Sequence, residues 1–176
     1  SLLAARRNKK AITMEEISEA TIKVVAGPEK KSHHKTEKEN RLTAYHEAGH
    51  AVCTYYCEHQ DKVQQVSIIP RGMAGGYTMS LPEADKSFVT KKEMEEDIIT
   101  LLGGRAAEYL IWDDISTGAS NDIERATSTA RNMVTRYGFS EKLGPMVYGN
   151  DHNEVFLGKE IGSSRDYSEK VAADID

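Results

Sequence analysis

Apolar positions recur at helical spacing in four long stretches of this chain, and two short β-prone runs lie between the second and third. Met14, Ile17, Ile22, Val24 and Val25 form the first stripe. Thr13 and Glu16 open it with capping-box spacing, and Gly27-Pro28 stops it. Leu42, Tyr45, Gly49, Val52 and Tyr56 predict a second helix, opened by Thr36 and Glu39 and running to about Glu58. Gly49 in its middle costs about 1 kcal/mol relative to Ala, which close approach of another backbone would explain. Met94, Ile98, Leu102, Ala106 and Tyr109 predict a long third helix behind Thr90 and Glu93, where Gly103-Gly104 marks tight helix packing. Ile123, Ala126, Ala130, Met133, Val134 and Tyr137 predict a fourth, N-capped by Ser120 and ended by Gly138. Between the second and third helices, β-prone runs at 63–70 and 77–81 flank the Gly-rich segment 71–76, which reads as a hairpin. Residues 113–121 and 138–165 read as loop, and Ser168 to Asp176 as a short amphipathic helix. The fold class is mainly α with a small β-hairpin.

Composition narrows the function classes. At 176 residues the chain can bury one sizeable core. Its 23 Lys and Arg against 28 Asp and Glu give a net charge of −5, with no clustered basic face, so no nucleic-acid partner is expected. No apolar run approaches the roughly 18 residues of a membrane span, and no signal peptide is visible; the fragment reads as soluble. No G-x-x-x-x-G-K-[ST] phosphate loop occurs, so no cofactor-binding residues for ATP are expected here. Both ends look like cuts in a longer chain. Cys53 and Cys57 lie one turn apart on the second helix and read as reduced, buried, apolar-like residues.

The chemistry concentrates in His46-Glu47-Ala48-Gly49-His50, an H-E-x-x-H pattern within the second helix. Residues four apart share a helical face, so two imidazoles there can bind one metal ion through nitrogen bonds of about 2.0–2.1 Å. Glu47 can then act as general base on a water at that metal, the arrangement of a zinc peptidase. A catalytic zinc takes three protein ligands. Glu108, on the inward face of the third helix, and Asp122, in the first turn of the fourth, are both suitable, and spacing alone leaves them open. His33-His34 cannot converge on one helical face and reads as solvated linker. A four-ligand site adding Cys53 and Cys57 fails because one straight helix cannot wrap a metal tetrahedrally. A deformylase-like enzyme would need a Cys upstream of the motif, and none precedes Cys53. A non-catalytic helical assembly module is the rival from another class. His₂-carboxylate also suits iron(II).

Residues 36–150 resemble the peptidase domain of FtsH-family membrane-anchored, ATP-dependent zinc metalloproteases. The resembling segments are Thr43 to Ala51, Ser67 to Gly72, Leu102 to Glu108, Thr117 to Asp122 and Tyr137 to Gly144, in that order. The resemblance implies a helical zinc-peptidase domain over 36–176, truncated at its C-terminus. It implies a linker at 28–35 and the end of an ATPase lid subdomain at 1–27, carried by Ala4 to Lys10. It makes Asp122 the third zinc ligand beside His46 and His50, and Glu108 a supporting carboxylate. It further implies Zn2+ as cofactor, with ATP and Mg2+ only in an upstream module. The implied substrates are unfolded or misassembled cytosolic and membrane proteins, cut by a homohexamer at the cytoplasmic face of the cell membrane. Membrane contact would run only through N-terminal segments absent here.

Overall fold

In a computed structural model, residues 2–30, 35–72, 74–82, 86–149 and 167–176 are described. Helices α1 (Leu2–Arg6), α2 (Met14–Val25) and α3 (Glu37–Tyr56) precede strands β1 (Val63–Ser67) and β2 (Tyr77–Ser80). Helices α4 (Lys91–Trp112), α5 (Ser120–Thr135) and α6 (Glu169–Ile175) follow, with a 3-10 turn at Thr117–Ala119. The mainly α class with one antiparallel hairpin is the observed architecture.

All three expected capping boxes form, at Thr13/Glu16, Thr36/Glu39 and Thr90/Glu93. At α4, the Thr90 amide donates to Glu93 Oε2 at 2.7 Å and the Glu93 amide donates to Thr90 Oγ1 at 3.3 Å. Each pair satisfies two amides that the first helical turn leaves without partners. Other boundaries differ from expectation. Helix α3 stops at Tyr56 because Cys57 is extended. Ser120 is not the cap of α5: Ser116 caps the 3-10 turn, which runs directly into the helix. Helix α5 ends at Thr135, before Tyr137. The strands are shorter than their β-prone runs, and a register shift interrupts pairing between Val63 and Gln65.

The larger departure concerns which faces are buried. Tyr45, Val52 and Tyr56 of the α3 stripe are exposed, as are Leu102 and Tyr109 of α4. Met14, Ile17, Val24 and Val25 of α2 are exposed too, leaving Ile22 as its buried apolar residue. The faces that meet are built from small and polar residues. Helices α3 and α4 form the most extensive pairing of elements, crossing at Gly49 and Gly103. A Cβ on Gly49 would run into the Gly103 carbonyl oxygen, and one on Gly103 would lie 2.7 Å from the Gly49 carbonyl oxygen. The expectation that these glycines allow backbones to touch is met. Cys53 and Cys57 are unbonded and half-buried rather than fully buried.

Helix α5 packs on α4, and the hairpin packs on α3. The segment after α2 is tied to the hairpin loop. The Gly72 amide donates to the Pro28 carbonyl at 3.2 Å and the Lys30 amide to the Pro70 carbonyl at 3.0 Å. Buried Arg71 adds an ion pair with Glu19 at 3.5 Å. His33-His34 lies outside the described residues.

Candidate active site

The H-E-x-x-H residues sit on the face of α3 that meets α4. His46 and His50, one turn apart, direct their Nε2 atoms at one another, 3.0 Å apart. Bare Gly104 makes room for the rings: a Cβ there would lie 2.6 Å from His50 Nε2 and 2.7 Å from His46 Nε2. The other ring nitrogens are held from behind. His50 Nδ1 lies 2.7 Å from the Thr100 carbonyl, which only accepts, so Nδ1 carries the proton. His46 Nδ1 lies 2.8 Å from Glu108 Oε1. Burial alone would raise the Glu108 carboxyl, but hydrogen bonds from the Ser116 amide, His46 and the Ser116 hydroxyl outweigh it and hold the pKa below the ordinary value. Glu108 is therefore ionised, and His46 Nδ1 donates to it.

Both Nε2 atoms thus present lone pairs to the same point. Asp122, at the start of α5, completes a triangle there: its Oδ2 is 3.4 Å from His46 Nε2 and 3.6 Å from His50 Nε2. Burial opposes ionisation of Asp122, but the two imidazoles pull its carboxyl well below the usual carboxylate range. Burial likewise disfavours the protonated His46, and hydrogen bonds with Asp122 and Glu108 reverse that, raising its pKa. Among the described residues, His46, His50 and Asp122 are the group whose ligand atoms all lie within 4.8 Å of one another.

A metal ion fits this triangle. Bonds of about 2.0–2.1 Å in a tetrahedron put neighbouring ligand atoms about 3.3–3.4 Å apart. The three observed separations, 3.0, 3.4 and 3.6 Å, bracket that value. Two facing imidazole lone pairs and a carboxylate are mutually repulsive unless a cation or proton lies between them. Glu108 stands behind His46 and orients it, in the manner of a carboxylate–histidine–metal chain.

Glu47 is buried beside the triangle. The Thr78 hydroxyl on β2 is shared between Glu47 Oε2 at 2.9 Å and the Glu47 carbonyl at 3.0 Å. Burial raises the Glu47 carboxyl pKa, opposed by Thr78 and by both imidazoles. Gly76 keeps the hairpin close, since a Cβ there would lie 2.8 Å from Glu47 Oε1. Lys35 braces the same turn by donating to the Thr43 hydroxyl at 3.1 Å and to the Gly75 carbonyl. Sequence reasoning missed Thr78 and Thr100, which contact the motif from 31 and 50 residues away with no spacing signal.

The triangle opens into a cleft of about 970 Å³. All four residues of β2 line one wall, and Ser116 to Gly118 and Arg125 contribute to another. Helical scaffold, paired imidazoles, a facing carboxylate and a buried glutamate define the class of H-E-x-x-H metallohydrolases. The chain belongs to peptidase family M41, whose model matches residues 33–176. It is 57% identical over its whole length to the ATP-dependent zinc metalloprotease FtsH of Caldicellulosiruptor bescii, covering 29% of that protein. It is 59% identical to ATP-dependent zinc metalloprotease FtsH 1 of a Thermoanaerobacter species, covering 29% of it. It is 60% identical to ATP-dependent zinc metalloprotease FtsH 2 of Alkaliphilus metalliredigens, covering 26% of it, again over the whole chain. The chain thus spans less than a third of the length of these relatives.

Proposed function

We propose that this chain is the zinc endopeptidase unit of an ATP-dependent, membrane-anchored protease, with zinc held by His46, His50 and Asp122 and Glu47 as general base. The observation that carries the reading is the triangle of two Nε2 atoms and Asp122 Oδ2 beside a buried Glu47. Zinc bound there supplies Lewis acidity, polarising a carbonyl and bringing the pKa of a water from about 15.7 toward 7. Glu47 takes the proton of the attacking water as the scissile carbonyl becomes tetrahedral, then returns it to the leaving amine. Burial favours the protonated carboxyl once the proton has arrived, and the Thr78 hydroxyl fixes its position. Glu108 and the Thr100 carbonyl hold both imidazoles in the tautomer that leaves Nε2 free. Strand β2, paired on one edge with β1, offers the cleft an edge to which an extended peptide can add as a strand.

Residues 1–27 act as the end of an ATPase lid subdomain, 28–35 as its linker and 36–176 as the peptidase domain. Substrates are unfolded or misassembled cytosolic and membrane proteins, delivered by an upstream ATP- and Mg2+-dependent module. The working assembly is a homohexamer at the cytoplasmic face of the membrane. The large apolar side chains exposed on α3 and α4, among them Tyr55, Tyr56, Tyr109 and Leu110, support self-assembly. Membrane contact falls to segments outside this chain: among the described residues no helix is long and apolar enough to cross a membrane. Glu47→Gln tests the reading. Zinc content should be retained and hydrolysis of an unfolded protein should fall at least a hundredfold; full activity would refute the role of Glu47.

A further inference from the structure

A second cavity, of about 760 Å³, opens at the end of the metal cleft. The two share Gln60 and Asp97 on their walls, so the cavity adjoins the cleft at these residues. The shared threshold lies where β2 leads. Strand β2 passes Glu47 at Thr78 and ends at Ser80, which pairs with Val63, three residues beyond Gln60. A chain laid along β2 therefore runs from the metal triangle toward the cavity.

The cavity has an apolar part bordered by polar and charged residues. Phe88, Val89, Met94, Tyr137 and Phe139 line it. Phe88 is 84% exposed and Val89 57% exposed, and both precede α4 with no apolar cover among the described residues. Tyr137 and Phe139 stand with ring centroids 5.8 Å apart. Asp97 lines the cavity at the threshold, and the other charges around it are paired with one another. Lys86 pairs with Glu93 at 2.9 Å and with Asp61 at 3.7 Å, and His59 Nδ1 lies 2.7 Å from Glu96. A charged ligand would have to break these pairs, whereas an apolar side chain would cover carbon surface already exposed.

We propose that this cavity is a substrate subsite that takes a large apolar or aromatic side chain of the polypeptide being cut, about three residues from the scissile bond. The inference rests on the peptidase reading above. Its spacing follows from α4. The Thr100 carbonyl touches His50, and Met94 lies six residues earlier, about 9 Å along a helix axis. An extended peptide covers about 3.3 Å per residue, so about three residues span that distance. The occupant is the substrate polypeptide, because the cavity adjoins the cleft in which the peptidase reading lays the peptide along β2. The subsite makes binding selective for unfolded chains, which alone present large apolar side chains in extended form.

The test is a set of labelled decapeptides, identical except for one Phe walked from four residues before the scissile bond to four after it. Turnover is measured with the zinc-loaded protein, and Kd by fluorescence anisotropy with the Glu47→Gln variant. The expected profile has a maximum three or four residues from the bond on one side only, about tenfold tighter than Asp at the same place. Phe88→Asp and Val89→Asp, both at exposed positions, should each lower that preference at least fivefold, and Phe88→Leu should keep most of it. A flat profile beyond the residues flanking the bond would overturn the subsite, as would a maximum that survives both substitutions. A binding maximum without turnover would uphold the subsite and count against the peptidase reading.

Discussion

Glu108 stands behind His46, where the resemblance puts a supporting carboxylate. It is 1% exposed, and all its partners are polar: His46 Nδ1, the Ser116 amide and the Ser116 hydroxyl. It contacts the nitrogen of His46 that faces away from Asp122, so in the proposed site it orients His46 and is not itself a ligand. Losing such a partner typically weakens metal binding by about 10–100-fold. Glu108→Gln should therefore bind zinc about tenfold more weakly in a competition titration, with one zinc per chain at saturation. Complete loss of the site would make Glu108 a ligand. At this scale the sequence was informative about the helix and silent across it. The four-residue spacing of His46 and His50 placed both rings on one face, and Glu47 followed. Spacing could not choose between Glu108 and Asp122, because that depends on which side of His46 each carboxylate reaches. The resemblance pointed to Asp122, whose Oδ2 lies 3.4 and 3.6 Å from the two Nε2 atoms.

At the scale of elements, the helix starts were legible and the packed faces were not. Capping boxes depend on neighbours three apart, so Thr13/Glu16, Thr36/Glu39 and Thr90/Glu93 could be read directly. The stripes of α3 and α4 misled because pattern reading takes the packed face to be the apolar one. Here helices meet through Gly49, Gly103 and Gly104 and through the imidazoles, while Tyr45, Val52 and Tyr109 face outward. Gly103→Val should separate α3 from α4 and cost about 1–3 kcal/mol or more, as overpacking of a tight interior does, measured by urea denaturation. A stability equal to the parent would mean the crossing is loose. The caps also set a pH dependence. Glu16 is held at about 2, first by Lys9 and then by Thr13, and Glu93 at about 2, first by the Thr90 amide and then by Lys86. Both folded values lie below the ordinary carboxylate, so their stabilisation is complete above about pH 4.5 and is lost as pH falls toward 2. Glu16→Gln with Glu93→Gln, which removes both titrating carboxyls, should flatten the acid limb of a plot of Tm against pH; an unchanged limb would place acid sensitivity elsewhere.

Across the whole molecule, the site joins parts of the chain far apart in sequence. α3 brings His46, Glu47 and His50, α5 brings Asp122, and β2 covers Glu47 through Thr78. A metal bound at the triangle therefore links α3 to α5 and stabilises the fold by mass action, by about 3 kcal/mol at a hundredfold excess over Kd. For a chain of this size that corresponds to roughly 6–12 °C in Tm, which a chelator should remove. The same distribution explains why no local window of sequence contained the complete site. The central claim, that His46, His50 and Asp122 together hold one zinc ion, is tested most directly by metal content per folded chain. The parent, His46→Ala, Asp122→Ala and Glu108→Gln proteins would be compared by mass spectrometry after incubation with excess zinc and desalting. The account predicts one zinc in the parent, none in His46→Ala, loss on desalting in Asp122→Ala, and retention in Glu108→Gln at saturating zinc. Folded parent protein without zinc would contradict it, as would an Asp122→Ala protein that keeps zinc as firmly as the parent.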